Sequence, residues 1–453
     1  MGSGPLVASG RSLTIQVAGG LRPLAFPTIE LFAKREERMF FDDDLLESTS
    51  GQREADIPLR LTWSGITDDN LRTLGSGNSG YKCGLKGMIA CILIAASVEK
   101  WVSYSRNKDF YTGSARYGDP NFTYRKIIAM VEELSDLGLV EEQRAKEGDF
   151  GWQSRMRASV RLRKLSLGWG PFTSRQLETI CLRTKTKRPS AYNDNDDIVS
   201  MREQMHRHNG AIGALDLSIS EASFDLSRPA ALIDSAVVMP AQRQLYRVFN
   251  VDWTYGGRMY GGFWQNLPPA IRKKLRINGE DVVELDFKHL HPRLLYACFD
   301  KELDEDAYAI EGVERSLSKI AFQMLLNCSN RNIAINALAH QIKVSSVEKH
   351  LSARKHEARS LLQLLERRHK PIRFSFYSEI GRRLQHVDSE LMLRVMDRLL
   401  RAGIVGLPVH DSLIVPCRFG SAVEQIMDDE LASTCRHLGR IGFQGLLAGS
   451  AFE

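Results

Sequence analysis

The sequence predicts an α+β protein of two or three domains, and three observations carry that prediction. The 453 residues exceed what one compact core usually organises. Two segments in the first third repeat apolar residues at helical spacing, and the C-terminal half alternates helical patterns with two short apolar strands that each present an aspartate. The first helix is predicted over Lys86–Tyr104, where Met88, Ile89, Ile92, Leu93, Ala96 and Val102 share a face. The second is predicted over Thr123–Leu137, on Ile127, Ile128, Val131, Leu134 and Leu137, with Asn121 or Thr123 as cap and Gly138 as stop. A polar turn at Lys146–Gly151 then leads into a strand-like segment with Arg155, Arg157, Arg161 and Arg163 at near-alternating places. Residues 166–245 form a connector, with a strand in Leu177–Thr186, a helix over Asn195–His208 and loops from Ser218 to Ser235. Residues 1–74 form an N-terminal extension expected to be partly disordered.

Composition narrows the function classes only a little. An apolar fraction of 43% is that of a soluble globular chain, and a net charge of +6 is compatible with a nucleic-acid partner without requiring one. Seven scattered cysteines lack the paired spacing of zinc sites and read as reduced, mostly buried thiols of a cytoplasmic protein. The longest apolar run, Met88–Val98, is much shorter than the roughly 20 residues of a membrane span, and no targeting segment is expected.

The chemistry concentrates in the C-terminal half. Val282, Val283, Leu285 and Phe287 predict a buried strand that carries Asp286 to the sheet edge, where a lone ionised carboxylate would need a cation or a metal beside it. Gly406–Pro416 predicts a hairpin with His410, Asp411 and Ser412 at its tip. Two aspartates on two strands are the minimum protein ligand set for a pair of hard divalent cations. On a helix over residues 314–327, Arg315 and Lys319 lie four apart and make a cationic edge suited to a triphosphate. A further helix over Ile380–Leu400 carries Gln385 near its start. Four glycines in GGRMYGGFWQNLP, residues 256–268, allow close backbone approach beside the planar groups of Arg258 and Gln265. Glu284, two residues before Asp286, reads as a salt-bridged strand residue before it reads as a third metal carboxylate. Trp253 and Trp264 read as core or platform aromatics, and His289, His291 and His410 lack the closed ligand set of a transition-metal site.

Two resemblances follow from these parts. Helix, helix and a basic hairpin over residues 75–165 resemble a winged-helix nucleic-acid-binding domain, with YRKIIAMVEELSDLGLVE at its centre. Arg116, Arg125, Lys126, Arg155 and Arg157 would then contact the nucleic-acid backbone. Residues 245–420 resemble family A DNA polymerases in the order of their landmarks, which sets a polymerase-like domain at 246–453. Gly257-Arg258, Gln265-Asn266-Leu267-Pro268, the motif A stretch from Asp286 to Arg293, Arg315 with Lys319, Gln385, and finally Val409-His410-Asp411-Ser412 all fall in the family's sequence. The resemblance implies a right-hand polymerase palm with reduced fingers, preceded by the winged-helix-like domain and a thumb-like region in 166–245.

Roles carried over from that resemblance are specific. Asp286 and Asp411 would hold two Mg2+ ions, with Mn2+ as an alternative. Lys319 and Arg315 would bind the incoming nucleoside triphosphate, Arg258, Gln265, Gln385 and Arg293 would touch primer or template DNA, and His410 would steady the primer terminus. His291 stands where the family has the glutamate that blocks a ribose 2′-hydroxyl, Ser412 stands where it has a second glutamate, and Gln323 and Asn327 stand where an aromatic residue is expected near the nucleotide. Histidine-aspartate-serine in motif C resembles the phage-type and mitochondrial single-subunit RNA polymerases. The expected function is therefore a compact, template-directed DNA polymerase. The alternatives are an RNA polymerase or primase, and a DNA-binding replication or regulatory protein whose palm is an inactive scaffold.

Overall fold

The computed structural model describes residues 56–76, 80–111, 116–145, 153–220, 226, 228–233, 236–303, 305–342 and 351–449. The disorder expected in the N-terminal extension falls largely on residues 1–55, and the turn expected at Lys146–Gly151 falls on 146–151; both lie outside the described residues. The described part is mixed α+β and packs around two apolar cores, one for each half of the chain.

The N-terminal half begins with the short strands β1 (Ile57–Pro58) and β2 (Trp63–Ser64), followed by α1 (Asp68–Leu74) and α2 (Lys82–Ala96). Thr67 and Asn70 cap α1 reciprocally, and Gly75 ends it at a left-handed φ of +78°. The segment before α1 crosses α2 at Gly87, where a Cβ would stand 2.2 Å from the Leu61 carbonyl oxygen, so only glycine permits the approach. The helix expected over Lys86–Tyr104 is corrected: α2 stops at Ala96, and Val102–Tyr104 forms strand β3. Glu99 takes a φ of +52° between them, and the run Trp101-Val102-Ser103-Tyr104 buries Val102 and Tyr104 on one side, the two-residue period of a strand.

Next come α3 (Tyr124–Asp136), β4 (Val140–Gln143) and β5 (Ser154–Ala158). As the spacing predicts, Ile127, Val131 and Leu134 are buried, and Gly138 follows at φ +66°. The strand-like segment ends sooner than expected. Ser159 Oγ accepts from the Leu162 backbone N–H and starts a short helix, α4 (Val160–Leu165), so Arg161 and Arg163 are helical. Among the described residues the sheet order is β1-β3-β5-β4, with β1 and β3 parallel and the β3-β5 and β5-β4 pairs antiparallel.

Residues 166–245 supply pieces to both halves. Strand β6 (Thr173–Ser174) pairs with β2, while β7 (Ile180–Arg183) and β8 (Leu217–Ile219) are edge strands of the C-terminal sheets. Between β7 and β8, Asn195 caps α5 (Asp196–Gly213) by accepting from Ile198 N–H, and Ile198, Met205 and Ile212 enter the C-terminal core. The stretch expected as loop also holds β9 (Ala231–Ile233), which pairs with β10 (Ala236–Val238). Arg116 ties the halves together through Glu178 at 3.2 Å and Asp194 at 2.9 Å.

The C-terminal half continues with β11 (Tyr246–Asn250) and β12 (Gly256–Tyr260), which form a sheet of order β12-β11-β7. After α6 (Pro269–Arg272) come β13 (Leu275–Ile277), β14 (Glu280–Asp286) and α7 (Leu290–Ala297). Three helices, α8 (Arg315–Asn327), α9 (Arg331–Gln341) and α10 (Leu351–Arg368), pack on one another, and α11 (Gly381–Arg401) packs on β12 and α7. The chain closes with the hairpin β15 (Leu407–Val409) and β16 (Ser412–Pro416), and then α12 (Gly420–Ala448). The second sheet has the order β15-β16-β14-β13-β8, and places the two aspartate-bearing strands side by side. β14 is half-buried rather than buried, because its polar residues Glu284 and Asp286 occupy a face that is partly open. No helix of the described residues is long and apolar enough to cross a membrane.

Candidate active site

The antiparallel register of β14 and β16 builds the site. Asp286, the last residue of β14, pairs with Ser412, the first of β16, so Asp411 in the preceding turn lies at the same sheet end. The Phe287 N–H points to the Asp411 carbonyl oxygen at 3.5 Å. Both turns that present the site hold a histidine in the left-handed region, His289 at φ +54° and His410 at φ +57°. Non-glycine residues adopt that conformation only where surrounding structure enforces it, and such strain clusters at functional sites.

Electrostatics separates two carboxylates on the same strand. Asp286 opens to solvent at the strand end, yet the protein around it pushes its carboxyl up to about 7; the charge of Asp411 adds to this push, and Lys319 opposes it. Glu284 is fully engaged instead. Arg272 holds it with two bonds of 2.9 Å and the Ser412 hydroxyl donates to it at 2.8 Å, the salt-bridged role predicted from the sequence. Asp286 and Asp411 are thus the like-charged pair. Among the described residues no group of three or more His, Cys, Asp or Glu is placed to hold a metal ion. The pair itself still fits hard cations, since two repelling carboxylates gain most from one and phosphate oxygens or water complete such a shell.

Helix α8 faces this pair with cations. Lys319 is exposed, and its charge reaches both Asp286 and His289. One turn earlier Arg315 donates from Nε to Asp306 at 2.6 Å and stacks over the Tyr308 ring at 5.3 Å. Asn327, the other residue expected near the nucleotide, ends α8 roughly 12 Å of helix rise beyond Lys319. Its amide donates to the Gln323 carbonyl at 2.9 Å and abuts Gly381, where a Cβ would sit 2.0 Å from Asn327 Oδ1. It joins α8 to α11 and is not gathered into the site.

Several residues expected at nucleic acid are engaged within the protein. Arg258 is buried and pairs with Asp388 of α11, its Nε 3.1 Å from Oδ1. His291 Nε2 meets the same carboxylate at 2.7 Å. Burial works to raise the Asp388 carboxyl, but Arg258 and His291 outweigh it and hold the group below the usual carboxylate range. Gln265 donates to the carbonyls of Met259 and Pro408 at 3.0 and 3.1 Å, bracing the β12 side of the site against β15. Buried Trp264 donates to the Pro408 carbonyl at 2.9 Å as a core residue, and Trp253 lies edge-on to Tyr192 and Phe249. His410 is half-buried beside Tyr260, and that burial, with the Arg258 charge, pulls its ring down to about 4, so it is neutral near pH 7. Gln385 is partly exposed one turn before Asp388, and Arg293 is partly exposed on α7.

The arginines of the N-terminal half divide sharply. Arg155 bonds Gln143 at 2.8 Å and Asp56 at 3.5 Å; Arg157 bonds Glu141 at 2.6 Å; both stack on Trp101. Arg125 is exposed at the start of α3 and makes no ion pair among the described residues.

Two residues of the site went unmarked in the sequence. Asp388 was legible in principle, as the one carboxylate in the buried stripe Leu384, Val387, Leu391, Met392 and Val395. Tyr308 was not, because it lies in an irregular segment between α7 and α8. It is buried against His289, Phe322 and Arg315, and burial and the charges of Asp411 and Asp286 push its hydroxyl up. No protein-family model, curated protein or solved structure matches the chain.

Proposed function

We propose that the chain is a template-directed nucleotidyltransferase, a compact DNA polymerase of the family A type with a palm built on the β15-β16-β14-β13-β8 sheet. The observation that carries this reading is the closeness of Asp286 and Asp411 at one end of two adjacent strands, opposite the cationic edge of α8. Helices α8, α9 and α10 serve as reduced fingers. The N-terminal half serves as a winged-helix-like domain, a reading supported by the succession α2, β3, α3, β4 and β5 and by the sheet order β3-β5-β4.

Asp286 and Asp411 would hold two divalent cations, Mg2+ or Mn2+, which when bound activate the primer 3′-hydroxyl and neutralise charge on the triphosphate. The chain's own residues do the rest. Lys319, already in electrostatic reach of Asp286, binds the phosphates where negative charge develops. Arg315 exchanges its bond to Asp306 for a second phosphate contact. The Arg258-Asp388-His291 network fixes β12, α11 and α7 behind the site, and keeps the strand ends from drifting.

RNA synthesis is the second reading, and the residue at the sugar gate favours it. The gate position holds His291 in place of a glutamate, its ring tied to Asp388, and Ser412 donates to Glu284 where the family has a second glutamate. Primer extension on a DNA template with Mg2+, run in parallel with dNTPs and NTPs and with Asp286→Ala as the blank, tests both. Extension with dNTPs supports the DNA polymerase, extension with NTPs the RNA-synthesising enzyme, and silence in both favours a DNA-binding scaffold.

A further inference from the structure

The approach to α3 carries an aromatic cluster at the edge of the N-terminal core, in which Tyr111 and Phe122 pack against that core and Phe110 stands out from it. Phe110 is 51% exposed, and its ring centre lies 5.2 Å from that of Tyr111 and 6.5 Å from that of Phe122. Tyr111 lies 5.3 Å from Phe122 and 6.1 Å from Tyr124, and its hydroxyl donates to the Ser105 carbonyl at 2.6 Å, which anchors the cluster. Cations surround these rings. Lys108 Nζ stands 5.7 Å from the centre of the Tyr124 ring, Arg125 extends from the next position, and Lys126 Nζ bonds the Pro120 carbonyl at 3.0 Å. Asp109 and Asp119 are the acidic residues of this stretch, against the cations Lys108, Arg125 and Lys126.

This patch differs in kind from the basic strand beside it. On β5, Arg155 and Arg157 are compensated by Asp56 and Glu141, and just after β3 Arg106 is compensated by Glu142 at 2.8 Å. Such pairs leave little net charge for a phosphate backbone. Around Phe110, Lys108, Arg125 and Lys126 make no ion pair among the described residues, and Phe110 presents an exposed ring. Bases inside a duplex already stack on each other, whereas an unpaired base has a bare π-face and a flanking phosphate on either side.

We propose that Phe110, Tyr111, Phe122 and Tyr124, with Lys108, Arg125 and Lys126, form a binding site for single-stranded nucleic acid. An unpaired base stacks on Phe110 and the cations hold the neighbouring phosphates. The inference rests on the nucleic-acid reading of the chain but not on its chemistry, and Asp411→Asn, which removes catalysis, separates the two. The test is fluorescence anisotropy of the full chain with labelled oligothymidylate and with a duplex of equal length. Phe110→Ala should weaken single-strand binding by about fivefold or more while changing duplex binding less than about twofold. Phe110→Trp should restore it, Phe110→Leu should not, and Asp411→Asn should bind the single strand as the parent does. Unchanged single-strand binding in Phe110→Ala overturns the proposal, as does equal loss on both ligands. If single-strand binding is unchanged and the variant instead loses a self-association seen by light scattering, the patch belongs to a contact with a second copy and the proposal fails.

Discussion

Strand β5 and the β14-β16 sheet end both carry charged residues at short spacing, and the fold treats them oppositely. On β5 the arginines lie beside the carboxylates of β4 and the N-terminal segment, so Arg157 meets Glu141 and Arg155 meets Asp56, with Trp101 beneath both. At the sheet end two aspartates face each other, and Lys319 only partly offsets their repulsion. The β5 charges are compensated, whereas at the sheet end desolvation by the surrounding protein, and after it the charge of Asp411, raise the Asp286 carboxyl to about 7, which marks where a cation or substrate is wanted. The contrast repeats within β14 itself, where Glu284 is held by Arg272 and Ser412 and Asp286 is not.

The sharpest way to break this comparison is to remove one member of the aspartate pair. Asp411→Asn should lower nucleotide incorporation on the order of a thousandfold or more in a primer-extension assay, with the circular dichroism of the parent. Retained incorporation would place Asp411 among the merely structural charges. The next largest effect is on stability. Asp388 is 1% exposed and Arg258 4%, so Asp388→Asn leaves a buried guanidinium without its countercharge and should cost about 3–5 kcal/mol in denaturant unfolding. The double change Asp388→Leu with Arg258→Met should recover part of that loss.

Acidity sharpens the comparison further. The Asp286 carboxyl is held at about 7, above the roughly 3.9 of an unfolded aspartate, so the native state binds the extra proton between those values. Its contribution to stability is therefore greatest at low pH and declines as pH rises from about 4 to about 7. Melting temperatures across that range should show Asp286→Asn gaining on the parent as pH rises, and parallel curves would contradict the burial and repulsion assigned to Asp286. The smallest effect belongs to β5. Arg157→Gln breaks an exposed pair and should change stability by less than about 1 kcal/mol, with duplex affinity nearly unaltered.

How much of this was legible in the sequence depended on whether a residue's partner was near in the chain. The hairpin around Asp411, the helices starting at Arg315 and Gly381, and α3 with Gly138 behind it follow from spacing and stop signals. The end of α2 was missed because Val102 fits a helical face as well as a strand, and only pairing with β5 decides between them. Arg258, Gln265 and His291 were legible as residues of the site region but not as its internal framework. Their partners, Asp388 and the Pro408 carbonyl, are brought by elements far along the chain.

The central claim is that Asp286 and Asp411, and not the compensated Glu284, form the cation-binding pair. Mn2+ binding followed by electron paramagnetic resonance, without nucleotide or turnover, tests it most directly. The account predicts that the parent protein sequesters Mn2+, that Asp286→Asn and Asp411→Asn each lose most of that binding, and that Glu284→Gln retains it. Equal Mn2+ binding in the parent and both aspartate variants would contradict it.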